Sequence, residues 1–524
     1  MVAPRSIETH WQIRKPTIKG RGGMVASQHY LATQTGQSIL ASGGNAIDAA
    51  VATGLMLSVV EPWMSGLGGG GYMLIYLAER DEVVQIEFGM QAPLAAQASD
   101  YPLAPGETTT SDAFNWPKVI DDRNIHGPLS IATPGYLRGI ELALTQFGTQ
   151  TLSELIEPAK KQAQLGLPID WFACQKISQF ARGLRTYPGA TEVYLADGLP
   201  PAADLEGLLT YLPLPNLAKT FATLQSEGAD GFYQGSLTPQ IIEDLTAAGS
   251  KITANDLAQY RAAISKPLTS QFQGYDIFTA GALTAGPSLI EALAHYQANQ
   301  SKTAGGPDAN AYIAMANALR STYQNRLENL GEGASDGSTT HICVADGAGN
   351  LVSFTQTIMS AFGSRIHLPK TGILMNNGMM WFDPRPGGPN SIIGGRRPLC
   401  NMCPTLGRSE DGSWFAAGAC GGRKIFPSIF QLAVFLADFS LDLSDAIHRG
   451  RIDVSGTDLI TIMNHLPPDI IKALTQTFGS TRVRPNDVSP NFFALPQIIQ
   501  RDASGLLEGG CFIPSPHASV GAID

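Results

Sequence analysis

Residues 43–62 (GGNAIDAAVATGLMLSVVEP) form an Ala-rich segment that would be apolar around almost the whole circumference of a helix. The segment opens with Gly-Gly-Asn and ends at Pro62. A helix without a polar face is usually interior, because water has no favourable surface to contact. The apolar part is also too short for a bilayer span. We therefore predict a buried helix inside a large globular fold.

Regular elements can be assigned along the rest of the chain from periodicity and turn residues. The predicted helices are 136–146, 152–165, 288–297, 309–330 and 426–438. In 65–77 a Gly-rich turn leads into a predicted apolar strand, and a second strand lies within 80–92. The later predicted strands are 341–346, 351–358, 372–376 and 413–418. Helices dominate before residue 330 and strands after it. This order favours an α+β or layered sandwich fold over strict βαβ alternation.

Composition excludes several classes of protein. Of the 524 residues, 44% are hydrophobic and 15% are charged, which is typical of a globular chain and not of a disordered one. The net charge of −10 gives no basic footprint for nucleic acid or an anionic membrane. The first residues, MVAPRSIETHWQIRKP, lack an apolar signal-peptide region, and six cysteines are few for this length. We therefore expect a soluble, reduced, cytoplasmic protein.

Two motifs suggest cofactor or metal chemistry, and both have simpler explanations. The glycine run GLGGGG (66–71) lacks the Lys-Ser/Thr of a phosphate-binding loop and precedes its strand, so a tight turn with close backbone packing is the better interpretation. Cys400 and Cys403 form a single CxxC between prolines, which is only half a zinc site. We expect buried, inert cysteines here, and neither a metal nor a cofactor.

Two threonines stand where a small polar stretch, GEGASDGS (331–338), meets the strand at 341–346. Threonine is a common strand residue, so Thr339 and Thr340 have an ordinary structural explanation. A cut between Ser338 and Thr339, however, would make Thr339 an N-terminal residue. Its α-amine, with a pKa of about 7.7–8.0, could then take the hydroxyl proton as a general base. This is the N-terminal-threonine form of nucleophilic catalysis.

Seven blocks of the sequence are similar to those of the γ-glutamyltransferase (glutathione hydrolase) family of N-terminal-nucleophile hydrolases. The match is most specific at TTHICVADGAGNLVSFTQTI (339–358), and the blocks follow the family's order over nearly the whole chain. The other blocks are 43–74, 130–148, 311–331, 372–377 (GILMNN), 397–406 (RPLCNMCPTL) and 418–426 (GACGGRKIF). The resemblance implies a four-layer αββα sandwich.

The same resemblance implies a self-cleaving precursor and a set of catalytic residues. Cleavage before Thr339 would leave a large subunit, 1–338, which is the helix-rich half, and a small, strand-rich subunit, 339–524. Thr339 would be the nucleophile, and Thr357 would match a second threonine that holds it. Gly421 and Gly422 would supply oxyanion-hole amides, although the local sequence alone favours an ordinary turn. A dimer of processed heterodimers is one assembly option.

The residues that recognise the γ-glutamyl group in the family are replaced in this chain. An arginine of the family falls at Gly89, and an asparagine falls at Met359. The remaining replaced substrate-binding positions are Gly378, Trp381, Cys400 and Asn401. A zwitterionic head left unpaired in a buried site would cost roughly 2–5 kcal/mol. A shifted alignment, or a carboxylate contact from Arg396, Arg397 or Arg423, would restore recognition and stays an alternative.

These observations predict a self-processing amidohydrolase or acyltransferase that cleaves a γ-glutamyl or related acyl amide, such as glutathione, through a threonyl ester. A cephalosporin or glutaryl acylase, or an oxamate-type small-amide hydrolase, is the alternative suggested by the changed recognition residues. Two other classes remain: an inactive binding protein with the same fold, and a metal- or redox-active protein that uses the CxxC. The joint presence of Thr339, Thr357 and Gly421-Gly422 argues against the inactive protein.

Overall fold

The computed structural model describes residues 13, 15–106, 116–281, 283–300, 305–329, 338–455 and 458–524. In chain order the strands of this part are β1 (Ile18–Gly20), β2 (Gly23–Ser27), β3 (Gly70–Leu77), β4 (Glu82–Phe88), β5 (Leu167–Ile169), β6 (Thr210–Leu212), β7 (Ala263–Ser265), β8 (Leu268–Phe272), β9 (Tyr275–Thr279), β10 (Ser338–Asp346), β11 (Leu351–Met359), β12 (Thr405–Ser409), β13 (Trp414–Cys420), β14 (Ile452–Asp453), β15 (Ile460–Met463), β16 (Thr481–Arg484), β17 (Leu495–Arg501), β18 (Leu507–Cys511) and β19 (Ser519–Ile523).

The α-helices are numbered in the same way. They are α1 (Tyr30–Ala41), α2 (Ala46–Val60), α3 (Tyr136–Phe147), α4 (Leu152–Leu165), α5 (Trp171–Leu184), α6 (Pro188–Tyr194), α7 (Pro215–Glu227), α8 (Asp230–Tyr233), α9 (Leu237–Ala248), α10 (Ala254–Gln259), α11 (Gly286–Asn299), α12 (Ala309–Asn329), α13 (Ile425–Ala437), α14 (Leu443–His448) and α15 (Pro468–Thr477).

Two seven-stranded antiparallel sheets form the middle of the molecule. Sheet I has the order β19-β2-β10-β11-β3-β4-β7, and sheet II has the order β1-β18-β17-β13-β12-β9-β8. Along β10, Cys343 and Ala345 pack between the sheets with Ala416 of β13, while Ile342 and Val344 pack under helices. This alternation is the period of two expected for a strand buried on both faces. Helices α1–α4 cover sheet I and α11–α13 cover sheet II, which confirms the four-layer αββα sandwich.

Helix α2 is buried along its whole length, as its composition predicts. The Asn45 side chain caps its first turn by accepting from the backbone N–H groups of Ile47 and Asp48. Asp346, at the far end of β10, accepts from the N–H of Ala46 at 2.9 Å. These acceptors satisfy backbone donors that a buried helix end would otherwise leave unpaired, a contribution of about 1 kcal/mol per cap. The helix is thereby tied to the strand that carries Thr339.

The glycine run brings β3 unusually close to β11. A Cβ atom at Gly69 would lie 2.2 Å from the carbonyl oxygen of Thr357, and one at Gly71 would lie 2.4 Å from that of Thr355. Real Cβ atoms do not approach oxygen so closely, so any side chain here would push the strands apart. Close backbone packing, and not phosphate binding, accounts for this motif.

The strand predicted at 372–376 is wrong. Only Leu374 and Met375 pair there, as isolated bridges to His367 and Gly68. Gly372 has a φ of 70° and its backbone lies against Leu217, so the chain bends before a ladder can form. By contrast, the predicted helices at 152–165 and 426–438 are confirmed as α4 and α13, within a residue at each end.

Both sheets mix strands from the two halves of the chain. In sheet I, β10 lies between β2 and β11, and β11 pairs with β3. In sheet II, β12 pairs with β9 and β18 pairs with β1. The helix-rich and strand-rich segments therefore do not fold as separate layers. The subunit boundary between 338 and 339 stays a prediction.

Candidate active site

Thr339 is the second residue of β10 and only 4% of it is exposed. The thiol of Cys343 donates to the carbonyl of Ala416 at 3.2 Å, and the ring of His341 lies against Gly418. Each step of two residues toward the start of β10 therefore moves two residues toward the end of β13. By this register Thr339 faces the space between the sheets, opposite Cys420.

A β-bulge sets Thr339 against Thr357. The β10–β11 ladder pairs Thr340 with Gln356 but Ser338 with Met359, so two residues of β11 oppose Thr339 alone. Bulges bend a strand and re-aim side chains, and they occur frequently next to active sites. The two threonines therefore lie at adjacent positions of neighbouring strands.

The hydroxyl of Thr357 is oriented by the backbone that follows it. Thr357 is 1% exposed, and its Oγ1 accepts from the N–H of Met359 at 2.8 Å. Met359 has a φ of 84°, a conformation that is costly for a side chain of this size. Such outliers persist only where the surroundings enforce them, and they cluster at functional sites. The strained turn therefore fixes the position of the Thr357 hydroxyl.

Gly421 and Gly422 follow the last residue of β13 directly. Their φ values are 135° and 58°, and a 3-10 turn then leads into α13. Within the described part of the chain, neither backbone N–H donates a hydrogen bond. Free amides at a helix N-terminus are favourable for a developing negative charge. They lie just beyond Cys420, the last residue of β13.

The neighbours of Thr339 along β10 are held in neutral forms. The Nδ1 of His341 is 2.9 Å from the hydroxyl oxygen of Thr355, and burial lowers the pKa of His341 to about 3. The hydroxyl of Thr340 donates to Glu61 at the end of α2, at 3.2 Å. Burial raises the pKa of Glu61 to about 8, against the opposing effects of this hydrogen bond and the charge of Lys176.

Glu61→Gln is expected to change the pH dependence of stability. The folded-state pKa of Glu61 is about 8 and its ordinary value is 4.5, so the folded protein holds this proton where the unfolded chain has lost it. Stability is therefore lost as pH rises from about 4.5 to 8, by roughly 4–5 kcal/mol. The variant should match wild type in melting temperature at pH 4.5 and exceed it at pH 8. Equal melting curves at both pH values, or a gain as large with the exposed Glu192→Gln, would contradict this.

The six predicted substrate-binding positions converge on one region. Met359, Trp381 and Cys400 belong to one apolar cluster, and each is buried. A Cβ atom at Gly378 would meet Ala132 and Met90, and one at Gly89 would meet Tyr72; all three of these neighbours belong to the same cluster. Asn401 is buried beside Cys400. The structure thus brings these positions together, whereas their role in binding stays a prediction.

Sequence reasoning missed two polar residues that shape this region. The buried Arg326 of α12 donates to the carbonyl of Cys400 at 3.0 Å and to the side chain of Asn401 at 3.3 Å. Asn376 links the glycine turn to the region, since it donates to the carbonyl of Gly68 and accepts from the N–H of Gly378. Both lie inside blocks of family similarity, 311–331 and 372–377, which is the signal that could have identified them.

Of the three alternative arginines, one is exposed and two donate to backbone carbonyls. Arg396 is exposed. Arg397 donates to the carbonyl of Arg261 at 2.5 Å and lies over the ring of Tyr260. Arg423 donates to the carbonyl of Ser455.

The cysteine pair is buried and carries no disulfide bond. Both Cys400 and Cys403 are free thiols. Burial raises their pKa values to about 12 and about 11, respectively, which disfavours the reactive thiolate. No cluster of three or more His, Cys, Asp or Glu side chains that could hold a metal occurs among the described residues. In the same residues, no helix is long and apolar enough to cross a membrane.

A buried threonine near the start of a central strand, in a four-layer αββα sandwich, defines the class of N-terminal-nucleophile hydrolases. Comparison with known proteins specifies the family. The sequence profile described as Gamma-glutamyltranspeptidase matches residues 32–336 and 332–511. This chain belongs to the gamma-glutamyltranspeptidase family, and it is an N-terminal-nucleophile hydrolase that acts on amides.

The relatives include proteins named as glutathione hydrolases and proteins named as acylases. The chain is 29% identical to the glutathione hydrolase proenzyme of Bacillus subtilis (strain 168), over 92% of this chain and 88% of that protein. It is 32% identical to the acylase ACY 1 proenzyme of Pseudomonas sp. (strain SE83), over 88% and 87%. Its fold matches the cephalosporin acylase of Bacillus halodurans with a TM-score of 0.84 at 23% identity, over 100% of this chain and 99% of that chain.

Proposed function

We propose that the chain cleaves itself before Thr339 and then hydrolyses or transfers the acyl group of an amide through a threonyl ester. The observation that carries this proposal is the bulge that sets Thr339 against Thr357, opposite the end of β13. Nucleophile, orienting hydroxyl and oxyanion donors are the parts that such acyl transfer needs. The proenzyme names of both relatives support a processed precursor.

Processing is an acyl shift within the chain. The Thr339 hydroxyl oxygen attacks the carbonyl carbon of Ser338, the C–N bond to Thr339 breaks, and the Thr339 nitrogen takes up a proton to become a free amine. Water then hydrolyses the resulting ester, which leaves a carboxyl group on Ser338. The fragments 1–338 and 339–524 stay together in this proposal, because both seven-stranded sheets need strands from each.

Turnover uses the amine that processing creates. The α-amine of Thr339, with a pKa of about 7.7–8.0, accepts the hydroxyl proton as the oxygen attacks the substrate carbonyl. The backbone N–H groups of Gly421 and Gly422 stabilise the oxyanion, and the protonated amine gives its proton to the leaving amine. Water, or a second amine in the transferase reaction, then releases the acyl group from Thr339.

The acyl group is where two candidate functions differ. The glutathione hydrolase relative favours a γ-glutamyl donor such as glutathione, whereas the acylase relative favours a different acyl amide. Met359 and Trp381 stand in the apolar cluster where a zwitterionic head would need charged partners. That observation supports the second candidate, an acylase that does not require a γ-glutamyl group.

Trapping of the acyl-enzyme tests the common mechanism. The protein is mixed with a panel of γ-glutamyl, glutaryl and simple acyl anilides, quenched in acid within one turnover and digested. We expect one peptide, the one that begins at Thr339, to gain the mass of the acyl group, with the aniline released in a matching burst. Turnover with the acyl group on another residue, or on none, would contradict the proposal.

A further inference from the structure

The acyl cluster, defined here as Tyr72, Met359, Trp381, Cys400 and Met402, is an apolar wall beside the two threonines. Each member is at most 4% exposed. It adjoins the catalytic strands because Met359 ends β11 and Tyr72 stands opposite Thr355 in the β3–β11 ladder. An acyl group on Thr339 would therefore extend along thioether, indole and phenol surfaces.

The charged groups around the acyl cluster are engaged by the protein itself. Arg326, behind Cys400, directs its guanidinium hydrogen bonds at neutral acceptors, among them Thr284 and Ser288. The two charges that act on Tyr72, Arg397 and Glu87, lie 4.0 Å from each other. The terminal nitrogens of Arg326 already donate to four neutral acceptors, and Arg397 lies opposite Glu87, so an anionic acyl group would have to displace one of these contacts to gain a counter-ion.

The hydroxyl of Tyr72 is a polar atom placed in this apolar wall. Tyr72 is 2% exposed, and among the described residues its Oη has no hydrogen-bond partner. A Cβ atom built on Gly89 would lie only 2.9 Å from this oxygen. Burial raises the pKa of Tyr72 well above its ordinary value, so the group remains a donor at neutral pH. An acceptor oxygen on a bound acyl group would give this hydroxyl a hydrogen-bond partner within the apolar cluster.

We propose that the site accepts an uncharged acyl group, and that the Tyr72 hydroxyl donates a hydrogen bond to an acceptor oxygen on that group. The proposal rests on the function above, because Thr339 supplies the nucleophile. It also couples two positions. The Tyr72 hydroxyl lies 2.9 Å from the position of a Cβ atom at residue 89, so a tyrosine at 72 disfavours a side chain at 89.

A series of p-nitroanilides with the same five-carbon acyl chain tests the proposal. The acyl groups are pentanoyl (apolar), 4-oxopentanoyl (a neutral acceptor), glutaryl (anionic) and γ-glutamyl (zwitterionic). We expect kcat/KM to be highest for 4-oxopentanoyl, with γ-glutamyl lower by about 100-fold or more, given the cost of an unpaired buried charge. The highest kcat/KM for glutaryl or γ-glutamyl anilide would overturn the proposal.

Tyr72→Phe separates recognition from packing. Because it removes one hydrogen bond, kcat/KM for 4-oxopentanoyl anilide should fall by about tenfold, with pentanoyl anilide within about twofold of wild type. Tyr76→Phe is the matched control, since Tyr76 lies on the same face of β3 but stacks on Trp414 away from the site. An equal loss for both anilides in Tyr72→Phe would show a structural role and overturn this assignment.

The coupling is tested by restoring an arginine. Gly89→Arg alone should lower the melting temperature, because its Cβ collides with the Tyr72 hydroxyl. Tyr72→Phe combined with Gly89→Arg should recover that loss and raise the ratio of glutaryl to pentanoyl turnover by about tenfold or more. A single variant as stable as the double variant would contradict the coupling.

Acyl-enzyme trapping in the same samples distinguishes failure of the proposed substrate class from failure of the proposed mechanism. Acylation of Thr339 by glutaryl or γ-glutamyl anilide, with neither uncharged anilide reacting, would overturn the substrate class and leave the mechanism standing. Turnover of any of the four anilides without acylation of Thr339 would overturn the mechanism itself.

Discussion

Thr339→Ala is expected to leave the chain uncut and to lower amide turnover by about 10⁴-fold or more, the usual loss for a catalytic nucleophile. In the proposed mechanism one hydroxyl serves both reactions, because the same oxygen attacks the Ser338 carbonyl during processing and the substrate carbonyl afterwards. A denaturing gel gives the state of the chain, and release of aniline from the anilide substrate gives the turnover. Thr339→Ser, which keeps a hydroxyl, should be cut and retain part of the activity.

The neighbouring threonine provides a matched control. Thr340 alternates to the helix-covered face of β10, where its hydroxyl contacts Glu61. Thr340→Ser keeps this hydroxyl, so it should be processed and should turn over anilides at nearly the wild-type rate. A Thr339→Ala protein that is still cut between residues 338 and 339, or that still releases aniline from the anilide substrate at an appreciable rate, would show that another group is the nucleophile.

Gly421→Ala is expected to produce the second large effect, a loss of about 10²–10³-fold in kcat, as for removal of an oxyanion-hole donor. The φ of 135° disfavours any side chain, and a Cβ atom would lie 2.9 Å from the Cα atom of Ala494. The segment must shift to relieve this contact, and the two amides then no longer point at the oxyanion. Initial rates at saturating anilide, measured on protein shown to be folded, give the effect.

Backbone strain alone must be separated from loss of the oxyanion donors. Gly412, in the turn between β12 and β13, has a φ of 87°, and among the described residues no heavy atom lies within 4 Å of the position that a Cβ atom would take. Gly412→Ala therefore carries a comparable strain of roughly 1–2 kcal/mol without touching the site. It should lower the melting temperature but leave kcat unchanged. An equal fall in kcat for both variants would assign the effect to general destabilisation.

Much of the fold follows from local sequence signals. The all-apolar segment that forms α2 can only be buried, and the hairpin of β10 and β11 has both strand periodicity and a good turn. The glycine run is likewise explained by its own composition. These features depend on residues close together in the chain, where spacing and propensity carry the information.

The features that the sequence does not predict depend on contacts between segments that are far apart in the chain. The absent strand at 372–376 depends on the close contact of Gly372 with Leu217, which local propensity does not encode. The intermixing of strands from both halves in each sheet is likewise a property of the whole topology.

The candidate site also has residues that the sequence identifies and contacts that only the structure shows. Thr339 stands at a recognisable junction of loop and strand, whereas Thr357 and the two glycines are assigned a role only through the resemblance to the family. The bulge that sets the threonines against each other cannot be predicted, since it depends on ladder register. The contact of Tyr72 with Gly89 and the hold of Arg326 on Cys400 join segments far apart in the chain. The sequence shows which recognition residues have been replaced beside a motif that is kept. It does not show which residues the replacements contact, because those contacts depend on the folded structure.

The central claim is that Thr339 becomes an N-terminal residue. Intact-mass measurement and N-terminal sequencing of the freshly purified, catalytically active protein test it most directly. We expect two fragments, 1–338 and 339–524, of which the smaller begins Thr-Thr-His-Ile-Cys. An active protein that consists of one uncut chain, or whose smaller fragment begins at another residue, would contradict it.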